Sequence, residues 1–200
     1  GSEMCIRDSC NVRVNTNLST TDTGIFEILR ELPNVHWTVS VESIEEEYNY
    51  IRHHGDWQDF SNNINVISKL DHKISFNMLH FILNYKSIHS CVDYLRDKGF
   101  NDNSFVIGPL YRPPHLNTMN LPDEMMHQVL FDLNDRLDRH PTGYLKNSYE
   151  NLLQYYTTTN FKKNMKSFYY NLGVMDQRRK QDARAVFPKL FKGLDAYTLE

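Results

Sequence analysis

The sequence predicts an α/β protein with parallel strands, helices on the outside and a polar concavity within. Three stretches carry that prediction. Val35, Trp37, Val39 and Val41 alternate with His36, Thr38, Ser40 and Glu42, so this run is a strand whose two faces differ in kind. Val12 and Val14 stand in the same way against Arg13, Asn15 and Asn17, and Ile74, Phe76 and Met78 against Ser75 and Asn77. Helix-like segments separate the three runs, which implies parallel strands joined by crossovers. Buried parallel strands ordinarily read as near-continuous apolar runs, because both faces are covered. Here one face of each run is polar, leaving a concavity where a charged ligand could sit.

Each element follows from local signals. Residues 11–17 form the first strand. Residues 22–32 form a helix with Ile25, Ile28, Leu29 and Leu32 on one stripe, stopped by Pro33. After the strand at 35–42 come one or two helical turns at 45–52. A second helix starts from Asp56 as its N-cap and carries Trp57, Phe60, Ile64 and Ile67 at core spacing. Residues 73–79 are the third strand. Ser87 caps a helix bearing Ile88, Cys91, Val92 and Leu95, and Gly99 ends it. Residues 104–107 are a short fourth strand. The strand–helix part therefore spans 10–108, and a mainly helical region spans 109–200. Pro109, Pro113 and Pro114 make the connection to about residue 120 extended or turn-rich. Beyond it, Met125, Met126, Val129, Leu130, Leu133 and Leu137 form one helical stripe. Leu145, Tyr149, Leu152, Leu153 and Tyr156 form another, and a third helix covers 161–179. The apolar residues of 185–190 are expected to dock on the body.

Composition excludes several classes of function. Two hundred residues suffice for one ordinary core with a helical appendage. A net charge of -3 offers no case for nucleic acid or an anionic membrane as partner, and no apolar run approaches the length of a membrane span. Three unpaired cysteines, at 5, 10 and 91, suit a reducing cytoplasm and make neither a zinc site nor a disulfide framework. Residues 1–9 read as a translated transposase-based sequencing adapter (GGC TCG GAG ATG TGT ATA AGA GAC AG). They are expected to stand outside the fold, with the genuine protein entering near Cys10 inside a strand and its true N-terminus missing.

The candidate site residues collect near the ends of the strands. Ser40 lies on the polar face near the C-terminal end of its strand, where the following loops converge in barrels and half-barrels. Glu42 shares that face, and Arg52 follows a dozen positions after Ser40. A serine hydroxyl and a guanidinium together suit a carboxylate, since arginine supplies two parallel donors and serine a third. Thr16, Asn17 and Asn77 sit at the matching ends of neighbouring strands. His36 is expected to be a hydrogen-bonded interior histidine. His53 and His54 are adjacent and point apart on a helix, so they cannot chelate one ion. Glu45, Glu46 and Glu47 are a solvated helix start favoured by the dipole. Arg178, Arg179, Lys180 and Arg184 read as a solvated helix end, or less often an anion patch. Glycine-rich phosphate loops and nucleophile elbows are absent from the sequence.

Residues 37–42 (Trp-Thr-Val-Ser-Val-Glu), then Tyr50-Ile51-Arg52 and the Asp56-Trp57-x-x-Phe60-x-x-Asn63-Ile64 run, resemble the fourth strand and helix of radical S-adenosylmethionine enzymes. The subgroup is the one with a twitch- or SPASM-like C-terminal region. Val14-Asn15-Thr16-Asn17 is similar to that family's third strand, with Leu18 where glycine is usual. Ser75-Phe76-Asn77-Met78 with Ile82-Leu83-Asn84 resembles the fifth strand and its loop. Met175-Asp176-Gln177-Arg178-Arg179 and the 186–190 run resemble the tail. The resemblance implies a partial parallel β/α barrel of which this chain holds strands three to six. It also implies S-adenosylmethionine and a [4Fe-4S] cluster as cofactors of the intact enzyme, and hydrogen abstraction by a 5'-deoxyadenosyl radical. The substrate would be a small molecule or peptide, and an electron donor would be a partner. By position, Ser40 and Arg52 would hold the methionine carboxylate, with Glu42, Thr16, Asn17 and Asn77 lining the pocket.

The chain departs from that family further in its cysteines. It has no Cys-x3-Cys-x2-Cys loop, and a thiolate-held cluster needs about three or four ligands. The expectation is a C-terminal fragment, inactive as it stands, whose cluster loop lay upstream. Two rival readings remain open: a non-catalytic α/β module holding a small anion on its polar face, and a metal-free barrel enzyme using Glu42 as general base near His36.

Overall fold

The computed structural model describes residues 11–22 and 24–197, so the expectation for residues 1–9 lies outside the described residues. Four strands, β1 (Val12–Thr16), β2 (Val35–Ser40), β3 (Lys73–His80) and β4 (Phe105–Pro109), form one parallel sheet in the order β1-β2-β3-β4. The crossovers carry α1 (Gly24–Arg30), then α2 (Glu45–Ile51) with α3 (Trp57–Ile67), then α4 (Ser87–Asp97). The chain is thus α/β with a parallel sheet. Five helices follow: α5 (Asp123–Asp138), α6 (Gly143–Thr158), α7 (Met165–Arg179), α8 (Ala183–Val186) and α9 (Pro188–Tyr197). Among the described residues, no helix is long and apolar enough to cross a membrane.

The two faces of the sheet have different fates. Val35, Trp37, Val39, Phe76, Met78, Phe105 and Ile107 are buried in one core with the helices. On the other face Arg13, Asn15 and Asn77 are exposed, and His36, Thr38, Ser40 and Ser75 are half-buried. This face, bare among the described residues, is not polar throughout, however. Leu79 and Val106 share it by alternation and register, and they are 37% and 47% exposed. Its polar part therefore spans β1, β2 and the first half of β3, and it turns apolar toward the ends of β3 and β4.

The two edges of the sheet also differ. The Ile107 N–H of β4 donates to Ser148 Oγ of α6 at 3.0 Å, and the Ser148 hydroxyl donates to Tyr144 O at 2.7 Å. A helix thereby closes the β4 edge. At β1, the Val12 N–H donates to Asn34 O at 3.0 Å. In a parallel ladder the alternate residues Arg13 and Asn15 then direct their backbone groups away from β2.

Three local expectations need correction. In α1 the buried residues are Phe26 and Leu29, while Ile25 and Ile28 are 44% and 66% exposed. Phe26 wins because its ring packs on Trp37 at 5.8 Å, rotating the apolar stripe by one position. Ser87 is the first helical residue of α4 rather than its cap, and its hydroxyl lies 3.0 Å from that of Ser43. The third C-terminal helix starts at Met165, where the Asn164 side chain accepts from Ser167 N. Asp56 does cap α3, accepting from Gln58 N and Asp59 N. The tail docks through Phe187, 2% exposed, whose ring meets that of Tyr50 edge-on at 5.1 Å.

Candidate functional site

The loops after β2, β3 and β4 meet at the C-terminal end of the sheet, and a buried carboxylate lies at their junction. Glu42, two residues past β2, is 3% exposed. Arg52, the C-cap residue of α2, grips it with two parallel bonds: Nε donates to Oε2 at 2.7 Å and Nη2 donates to Oε1. Burial pushes the Glu42 carboxyl above its usual range, and the Arg52 charge and hydrogen bonds pull the other way. Asn84, fully buried in a short turn after β3, ties the loops together. Its Nδ2 donates to Glu42 O at 2.9 Å and to Leu79 O at 2.8 Å, while its Oδ1 accepts from Phe81 N at 2.8 Å. This latch fixes the backbone of Glu42 relative to β3.

Beside this pair is a pocket of about 230 Å³ whose charged lining is Glu42, Arg52 and Arg179. Its walls are apolar, with Leu79, Phe81, Leu110, Leu116 and Met175 among them. Arg179 comes from the last turn of α7 and is half-buried. Among the described residues its Nη1 donates to Tyr50 O at 3.4 Å and no carboxylate pairs with it. The Arg52–Glu42 pair is internally neutral, so the lining carries one positive charge in excess.

The other expected residues divide between this end and the bare face. Ser40 ends β2 on the bare face, in register with Asn77, and neither lines the pocket. Thr16 and Asn17 shape the loop after β1: Thr16 Oγ1 accepts from Leu18 N at 2.9 Å and Asn17 Oδ1 from Ser19 N at 3.2 Å. Leu18 has φ of 55° and is 1% exposed, so a leucine occupies a left-handed position that favours glycine. Arg52 meets Glu42 rather than the acidic run 45–47. His36 is hydrogen-bonded, as expected, but it is half-buried on the bare face rather than interior. Ser75 donates to Trp37 O at 3.3 Å, so its Oγ accepts from His36 Nε2 at 2.9 Å. Burial, then the charges of Lys73 and Arg13, lower the His36 pKa. His36 lies near the start of β2 and Glu42 two residues past its end, and Glu42 is already gripped by Arg52. Glu42 and His36 thus engage different partners, Arg52 and Ser75, and do not form a base beside a histidine.

Sequence reasoning missed Arg179, Asn84 and Leu79 as site residues. Arg179 was visible only within a basic cluster, and Arg184 of that cluster pairs instead with Asp195 at 2.8 Å on the surface. Cys91 is fully buried in α4 and its thiol is pushed well above its usual pKa, so it is no thiolate ligand. Cys5 and Cys10 lie outside the described residues, and among the described residues no group of three or more metal-ligating side chains exists. The described residues thus do not fit an iron–sulfur cluster. The chain matches no protein-family model, and neither curated proteins nor solved structures show significant similarity to it.

Proposed function

We propose that the chain is the strand-three-to-six portion of a partial β/α barrel of the radical S-adenosylmethionine type, contributing the cofactor's methionyl subsite. The observation that carries this proposal is the parallel sheet with helices on one face and a bare, largely polar second face, since parallel sheets are normally covered on both sides. A barrel lumen accounts for that asymmetry. Growth of the sheet is possible at β1, whose outer groups point away, and blocked at β4 by Ser148. The exposed Ile25 and Ile28 of α1 suit a neighbouring helix on that same side. The positive φ of Leu18 falls where the family pattern has glycine.

Arg52 fits a shared role. Glu42 takes up its Nε–Nη2 edge, and its side chain, 27% exposed, keeps the Nη1 donors for a ligand carboxylate. Ser40 supplies a hydroxyl from the end of β2. In the intact enzyme the chemistry is hydrogen abstraction from a small-molecule or peptide substrate, driven by an external electron donor. The part of these residues is to bind and orient. The source gene provides the test: upstream of Cys10 it should encode roughly two more strand–helix units, at about 30 residues or more each, with a Cys-x3-Cys-x2-Cys loop after the first strand. The extended protein should cleave S-adenosylmethionine when reduced. An extension without clustered cysteines removes the enzyme and leaves an anion-binding module, which the positively charged pocket favours.

A further inference from the structure

We propose that the pocket between Glu42, Arg52 and Arg179 is a binding site for a small monocarboxylate with an apolar body, its charge held by Arg179. The site adjoins the cofactor subsite proposed above and shares the Arg52–Glu42 pair with it, but its unpaired charge is that of Arg179, and Ser40 and Asn77 do not line it. Three observations select the ligand. The lining carries a single positive charge in excess, so a monoanion balances it, whereas a dianion would face the Glu42 carboxylate uncompensated. Arginine presents a planar fork that matches a carboxylate through two parallel bonds. The remaining wall is apolar, and Leu79 turns an exposed side chain into it from the end of β3. A volume of about 230 Å³ lies below the roughly 300–1,000 Å³ of drug-sized sites, which limits the ligand to a single ring or short chain.

The competing explanation is that Arg179 only offsets the carbonyls at the end of α7, as basic residues in a last helical turn do. Arg178, exposed in the same turn, serves that purpose equally well and does not line the pocket. It is therefore the matched control.

Calorimetric titration of the full chain with phenylacetate, phenylacetamide and phenethylamine tests the proposal. Phenylacetate should bind with a dissociation constant on the order of 1 mM. It should bind roughly tenfold more tightly than the neutral amide and still more tightly than the amine. Arg179→Gln should abolish the preference for the acid over the amide, and Arg178→Gln should leave it unchanged. Arg179→Lys should keep part of it, and urea midpoints equal to the parent's show that the variants are folded. Equal affinity of the parent for acid and amide overturns the proposal, as does absence of saturable phenylacetate binding or a preference that survives Arg179→Gln. Ser40→Ala separates the two sites: it should leave phenylacetate binding intact whatever it does to S-adenosylmethionine. Phenylacetate binding that survives Ser40→Ala but loses its acid preference in Arg179→Gln establishes this site independently of the cofactor subsite.

Discussion

Glu42 and Arg52 form one ion pair, yet the two partners should respond very differently to neutral substitution. The Glu42 side chain is 4% exposed, whereas that of Arg52 is 27% exposed. Glu42→Gln leaves a guanidinium that can reach water, so its cost should be limited to the lost charge-assisted bonds, about 1–2 kcal/mol. Arg52→Gln leaves a buried carboxylate without its counter-charge, which costs about 3–5 kcal/mol while it stays ionised. The carboxylate has an escape, since it can take up a proton. Burial already raises its pKa, and the two influences that lower it, charge and hydrogen bond, both come from Arg52. In Arg52→Gln the folded-state pKa must therefore rise further above the unfolded value. A raised carboxyl pKa contributes stability that is fully present below the unfolded pKa and is lost as pH rises through the folded pKa. Arg52→Gln should thus cost only about 1 kcal/mol at pH 5 and approach the full 3–5 kcal/mol at pH 8. Urea denaturation of parent and both variants at the two pH values gives the comparison, and taking differences from the parent cancels other titrating groups. If Arg52→Gln were no worse than Glu42→Gln at pH 8, or equally costly at both pH values, the pair would not be a buried carboxylate held by a partly hydrated cation.

Three more outcomes can be checked on the same protein. His80 is fully buried, its Nε2 donating to Tyr85 O at 3.2 Å while Nδ1 accepts from the Tyr156 hydroxyl at 2.7 Å, and burial lowers its pKa to about 4. Burial, helped by His80, lowers that of His89 to about 3. Depressed histidines remove stability as pH falls below about 6.5, so between pH 7 and pH 5 each should cost roughly 2 kcal/mol, and NMR titration of either ring above pH 5 would contradict this. Ser148→Ala should destabilise by about 1–3 kcal/mol in urea melts by orphaning the Ile107 N–H at the β4 edge, and a loss under about 0.5 kcal/mol would mean that the edge is not closed there. Leu18→Gly relieves a positive φ, worth about 1 kcal/mol, but deletes a side chain that is 1% exposed, worth about 2–5 kcal/mol. The net result should be a loss of about 1–4 kcal/mol, and a variant as stable as the parent would show that Leu18 contributes nothing to packing.

Properties that depend on period and on local punctuation were legible in the sequence. Alternation placed β1, β2 and β3 with their faces correctly divided, Asp56 was readable as a cap, and Ser40, Glu42 and Arg52 could be placed at one end of the sheet by counting along the chain. These succeed because a strand's side-chain direction and a helix N-cap are settled within a few residues. Side-chain partners were not legible. Arg52 had acidic neighbours at 45–47, but it grips Glu42, because the turn after α2 brings the guanidinium back over the end of β2. Phe26 displaces Ile25 and Ile28 from the core because Trp37 stands opposite it, a contact between separate elements. Arg179 reaches the pocket from α7, more than a hundred residues after Tyr50, whose carbonyl it touches. Sequence alone determined the parallel α/β layout, since backbone geometry repeats with a short period. Only the tertiary structure decided which charge is buried, which is paired and which faces an open pocket, since those depend on distances between segments that no local pattern encodes.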